Sequence, residues 1–118
     1  MSLVDGLFVG LLSGTSIDAI DAALFRIEGH SIRMLSALAA PIEASIKSEL
    51  LYLTECETVS PERIGIVDRR FGACLADAAL RLLTSAGKPP EAIRAIGSHG
   101  QTIRHRPARA GTITPGFT

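Results

Sequence analysis

The sequence predicts an α/β fold in which a mixed sheet carries helices, and three observations lead there. Apolar runs of strand length fill the first third of the chain, helical periodicity dominates the middle, and a short strand follows the helices. With 118 residues and 47% apolar content, the chain reads as one domain with enough material to bury a core.

Taken in order, Leu7 to Leu12 is apolar on both faces around Gly10, the pattern of a buried strand. Ile20 to Ile27 is a second strand with Ala, Leu and Phe on both faces, so it too is expected to be covered on two sides. Glu28-Gly29-His30-Ser31 is a turn, and Ile32 to Ala40 is a third strand that Pro41 ends. Short turns between three successive strands make an antiparallel meander. From Glu43 to Leu53, Ile46, Leu50 and Leu53 recur at helical spacing, with Ile42 leading in. A longer helix then starts at Ser60-Pro61-Glu62. Ser60 caps it, Pro61 fits the first helical position, and Glu62 complements the positive end of the dipole. Its stripe of Ile64, Val67, Phe71, Leu75, Ala78 and Leu82 is expected to face the core, with Arg69 and Arg70 toward solvent. Gly87 stops the helix and Pro89-Pro90 prevents its continuation. Ile93 to Ile96 is a short strand entering Gly97 to Thr102, and Ile103 to Thr118 reads as a loose hairpin.

Composition removes several function classes. The 12 basic residues balance the 12 acidic ones, leaving no electrostatic footprint for nucleic acid or an anionic membrane. Tryptophan is absent, so no base-stacking platform is visible, and the apolar runs are too short to span a bilayer. No basic segment leads into an apolar one at the start, so no export signal is expected. Cys56 and Cys74 lack CxxC spacing and read as reduced thiols of a cytoplasmic protein.

The stretch "FVGLLSGTSIDAIDAALFRI", Phe8 to Ile27, interrupts two strands with small and hydroxyl residues and then places Asp18 and Asp21 just beyond. A plain hairpin needs only a two-residue turn. A Walker loop is excluded because no lysine lies near Gly10 or Gly14, and a Rossmann turn because a strand, not a helix, is read after Ser16. Ser13 sits in Gly10-Leu11-Leu12-Ser13-Gly14, which is not the GxSxG frame of a nucleophile elbow. Successive amides in a glycine-bearing turn form an anion site. Gly14 admits a close ligand, the Thr15 and Ser16 hydroxyls can donate to phosphate, and Asp18 or Asp21 can hold magnesium. A polar turn with two solvated aspartates uses the same residues, and residue types alone leave both readings open.

"GLLSGTSIDAIDAAL" resembles the opening of the anhydro-N-acetylmuramic acid kinases, and "IGSHGQTIRHRP", Ile96 to Pro107, resembles a second block of that family. The resemblance runs from Leu7 onward. It implies the ribonuclease H-like first lobe of the sugar kinase, heat-shock chaperone and actin superfamily. It also implies an activity: ATP and magnesium serve to open and phosphorylate 1,6-anhydro-N-acetylmuramic acid in peptidoglycan recycling. By the same resemblance Gly14, Thr15, Ser16, Ile17, Asp18, Ala19, Ile20 and Asp21 form the ATP-binding hairpin, Asp18 being the metal candidate. His99, Gln101 and Thr102 face the sugar. The family's catalytic aspartate and adenosine segments lie beyond Thr118, so residues 1–118 are expected to be the N-terminal part of the first lobe, with no catalytic residue of their own.

The family usually has glycine where this chain has Ala19, which puts a strained left-handed backbone at Ala19 if one is needed there. Other members of the superfamily carry an aspartate where this chain has Leu12, so its metal contacts are expected to differ from theirs. The resemblance allows a homodimer. The alternative is a non-catalytic nucleotide-binding or chaperone-like module of the same superfamily, which would have no sugar cleft for "GSHGQT" to line. His99 with His105 lacks a third ligand for a metal, and Arg104, Arg106 and Arg109 read as a solvated charged hairpin.

Overall fold

A computed structural model of the chain describes residues 5–14 and 16–103. Thr15 and the hairpin expected after Ile103, with its His105 and arginines, lie outside the described residues. The elements run β1 (Gly6–Ser13), β2 (Ala19–Glu28), β3 (Ser31–Pro41), α1 (Ala44–Glu55), α2 (Pro61–Ala86) and, after a short turn of 3-10 helix, β4 (Ile93–Ser98). The four strands form one sheet in the order β3-β2-β1-β4. β1, β2 and β3 are antiparallel neighbours, as the meander required, and β4 returns to lie parallel to β1. The fold is therefore mixed α/β.

The local signals on α2 are realised. Ser60 Oγ accepts from the Arg63 amide at 3.2 Å, Pro61 and Glu62 occupy the first turn, and Gly87 closes the helix at φ 69°. That left-handed conformation is the one glycine adopts without a Cβ penalty. Alternation along β1 buries Leu7, Val9, Leu11 and Ser13 on one face, and β2 adds Ile20, Ala22 and Leu24. α2 lies over this face with Val67, Phe71, Ala78 and Leu82, and α1 packs on α2 through Ile46, Leu50 and Leu53. Ile64 departs from the expected stripe. It is exposed, one turn from the start of α2.

The expectation that the strands are covered on both faces is not met among the described residues. Both helices take the same face. The other presents Leu12, Ile32 and Met34 to solvent, with Phe25 beside them, although these strands are as apolar there as on the packed side. Residue pattern shows that a face is apolar; it does not say which segment lies on it.

Candidate functional site

β1 and β4 run parallel and finish side by side, so the turn after Ser13 and the loop after Ser98 share one edge of the sheet. Ligands of open sheets bind beyond the carboxyl ends of parallel strands. Both segments singled out in the sequence stand at that edge.

The turn is closed by the Ile17 amide, which donates to the Gly14 carbonyl at 3.2 Å. Gly14 and Ser16 are exposed, and a Cβ added at Gly14 would meet nothing within 4 Å. Its value is to what approaches from outside. The strained residue is Ile17, not Ala19. Ile17 has φ 55° and is the one non-glycine with positive φ among the described residues. A β-branched residue is a poor occupant of that region. Its side chain explains the choice, being 2% exposed and part of the core. Ile17 thus turns the chain and anchors it, with its amide already used. Ala19 and Ile20 begin β2, and the Ile20 side chain is core as well.

Asp18 is exposed, and its Oδ1 accepts from Lys47 Nζ of α1 at 2.5 Å. The Lys47 ammonium, and after it the Ser16 hydroxyl, hold the Asp18 carboxyl below the usual carboxylate range. The Asp18 carbonyl accepts from the Ile42 amide at 3.2 Å, which ties the turn to the entry of α1. Asp21 is exposed on the uncovered face, opposite Leu12 on β1. The described residues hold no group of three or more His, Cys, Asp or Glu arranged to bind a metal. The donor set suits a polyphosphate: an open glycine, a hydroxyl and a lysine ammonium. Magnesium would find Asp18 and take its remaining oxygens from phosphate and water.

On the neighbouring loop the His99 amide donates to the Leu11 carbonyl at 3.0 Å, continuing the β1–β4 ladder by one step. Gly100 then turns at φ 78°. Gln101 follows, buried, its Nε2 donating to the Thr102 carbonyl at 3.1 Å and its Oε1 accepting from the Ser13 hydroxyl. His99 is exposed and Thr102 half-buried. Behind the loop a cavity of about 550 Å³ has apolar walls from Leu50, Leu53, Val67 and Phe71, and Glu57, Thr58, Asp68, His99 and Gln101 also line it.

Sequence reading set Ser13 aside as a nucleophile without seeking its partner, and it missed Lys47. Ser13 carried a signal: it has the parity of Leu7, Val9 and Leu11, and a polar residue at a buried strand position needs a partner. Lys47 carried none, because its meeting with Asp18 depends on how α1 is placed.

A family model described as anhydro-N-acetylmuramic acid kinase matches residues 6–116. A protein of that name from Xanthomonas campestris pv. campestris (strain 8004) is 45% identical over 116 residues, covering 95% of this chain and 30% of the relative. One from Xylella fastidiosa (strain Temecula1) is 46% identical over 105 residues, covering 86% and 28%. One from Photobacterium profundum is 39% identical over 100 residues, covering 85% and 27%. The chain spans less than a third of the length of these relatives. It belongs to the anhydro-N-acetylmuramic acid kinase family.

Proposed function

We propose that residues 1–118 form the N-terminal part of the first lobe of an ATP-dependent kinase acting on 1,6-anhydro-N-acetylmuramic acid. The reaction opens the anhydro bridge with water and passes a phosphoryl group from ATP to the sugar, a step of peptidoglycan recycling in the cytoplasm. The observation that carries the reading is the shared sheet edge: the open Gly14–Ser16 turn and the His99–Thr102 loop end adjacent parallel strands.

ATP supplies the phosphoryl group. Gly14, Ser16 and Lys47 hold its phosphates, with Thr15 in the same turn, and Asp18 is the candidate for magnesium. Ile17, Ala19, Ile20 and Asp21 shape the hairpin and carry its backbone back into the sheet. His99 and Thr102 face the sugar, with Gln101 supporting them. Phosphoryl transfer rests on positioning and electrostatic stabilisation from both sides of a cleft. This chain supplies one wall, and the base that activates water belongs to the remainder of the kinase. No helix among the described residues is long and apolar enough to cross a membrane. A homodimer is an assembly that the family resemblance allows.

The test is to incubate the complete polypeptide with ATP, magnesium and the anhydro sugar and to follow sugar phosphate by mass spectrometry. Sugar phosphate should appear with the complete polypeptide and not with residues 1–118 alone. Its absence from the complete polypeptide would sink the reading, and turnover by the short chain would refute the missing wall.

A further inference from the structure

Ser13 and Gln101 are the two buried polar residues among those described, and they bond to each other across 88 positions of sequence. Gln101 has little freedom to do otherwise. Its Nε2 faces the Thr102 carbonyl, an acceptor, which leaves Oε1 toward Ser13, and the Ser13 hydroxyl is the donor that reaches it. A second tie lies two residues earlier, where the His99 amide donates to the Leu11 carbonyl. The segment 99–101 is thus laid along 11–13 and held at both ends, with left-handed Gly100 between the ties.

Ser13 directly precedes Gly14. The Ser13 hydroxyl is either on Gln101 Oε1 or off it, and a ligand that holds the turn in the position seen here also keeps that hydroxyl on Gln101. Off it, that oxygen is a buried acceptor without a donor, so intermediate positions are disfavoured. The bond is therefore a two-position element that both segments can bias, which is the physical requirement for coupling between sites.

We propose that Ser13 is a positioning residue that couples the two segments, so that a nucleotide on the turn raises the affinity of the loop for sugar, and sugar does the same for nucleotide. This rests on the kinase reading given above. Ser13 touches neither ligand; it acts through Gln101.

The experiment is calorimetry on the complete polypeptide with a non-hydrolysable ATP analogue and the anhydro sugar, each alone and each in the presence of the other. The unaltered protein should show a reciprocal gain of roughly 5–150-fold, the usual range for coupled sites. Ser13→Ala should bring that factor near one while both ligands still bind. Ser13→Cys, nearly isosteric but a weak donor, should do the same and serves if the alanine variant folds poorly. Ser13→Thr keeps the hydroxyl and should keep the factor. General damage to the loop would weaken sugar binding equally with and without nucleotide, leaving the factor intact. A factor unchanged in both the alanine and cysteine variants, or no factor in the unaltered protein although both ligands bind, would overturn the proposal alone. Failure of the unaltered protein to bind either ligand would overturn the kinase reading as well.

Discussion

At Ile17 two effects of similar size oppose each other, and substitution separates them. Burying an isoleucine side chain contributes about 1.5–3 kcal/mol, and Ile17 is 2% exposed. Holding a residue with a Cβ in the left-handed region costs roughly 1–2 kcal/mol, and Ile17 has φ 55°. Ile17→Ala loses the packing and keeps the strain, so it should destabilise the chain by about 2–5 kcal/mol. Ile17→Gly loses the same packing but relieves the strain, and should be the more stable of the two by about 1 kcal/mol. At an ordinary strand position the order is reversed, since glycine there is about 0.5–1 kcal/mol worse than alanine. Ile20, 1% exposed and inside β2, provides that control. Urea unfolding reads the difference as a midpoint shift of roughly 0.3–1 M at the slopes usual for small proteins. If the glycine variant at Ile17 unfolds at lower urea than the alanine variant, with equal slopes, the strained turn is refuted.

If the proposed activity holds, Gly14→Val in the complete polypeptide should raise the KM for ATP roughly tenfold or more, about 1.4 kcal/mol, with thermal unfolding unchanged, because a Cβ there meets nothing within 4 Å; unchanged kinetics would reject phosphate contact. The Lys47–Asp18 pair lowers the folded-state pKa of Asp18, so its stabilisation is present above the ordinary 3.8 and fades as pH falls through the lower folded value. Lys47→Met should therefore flatten the acid limb of a stability–pH curve, and an unaltered limb would count against the pair. Burial first, then the Glu43 and Asp77 carboxylates, push the Cys74 thiol above its ordinary 9.0, favouring the protonated form when folded. Iodoacetamide at mildly alkaline pH should label Cys74 more slowly in the native chain than in urea, and equal rates would refute the shift.

What was legible in the sequence is local. Ser60, Pro61 and Gly87 bound α2 through contacts with their own backbone neighbours, so the letters suffice. The hydroxyl turn and "GSHGQT" were visible as unusual loops for the same reason. That they meet was not, because β4 pairs with β1 from the far side of two helices and neither stretch encodes the other's position. The left-handed residue was sought at Ala19 by analogy with a glycine, whereas the fold needs it two residues earlier, where a large side chain can also reach the core. The uncovered sheet face escaped for a further reason: an apolar strand face states a preference, and the segment that satisfies it need not be nearby in the chain.

The meander and the return of β4 also differ in when they can form. β1–β2 and β2–β3 are closed by short turns, and such hairpins form in about 1–10 μs. β4 reaches β1 after β2, β3 and both helices have been traversed, and the Ser13–Gln101 bond spans 88 positions. Contacts of that separation carry the largest loop-closure cost and are the slow ones. Pulse-labelled hydrogen exchange during refolding should find β1 to β3 protected while residues 98–101 still exchange, and simultaneous protection would contradict this order. The edge that we assign to ligands is then the last part of the domain to exist. On that order a refolding chain would hold most of its sheet and helices before it has a binding edge, and ligand binding would recover later than the circular dichroism signal.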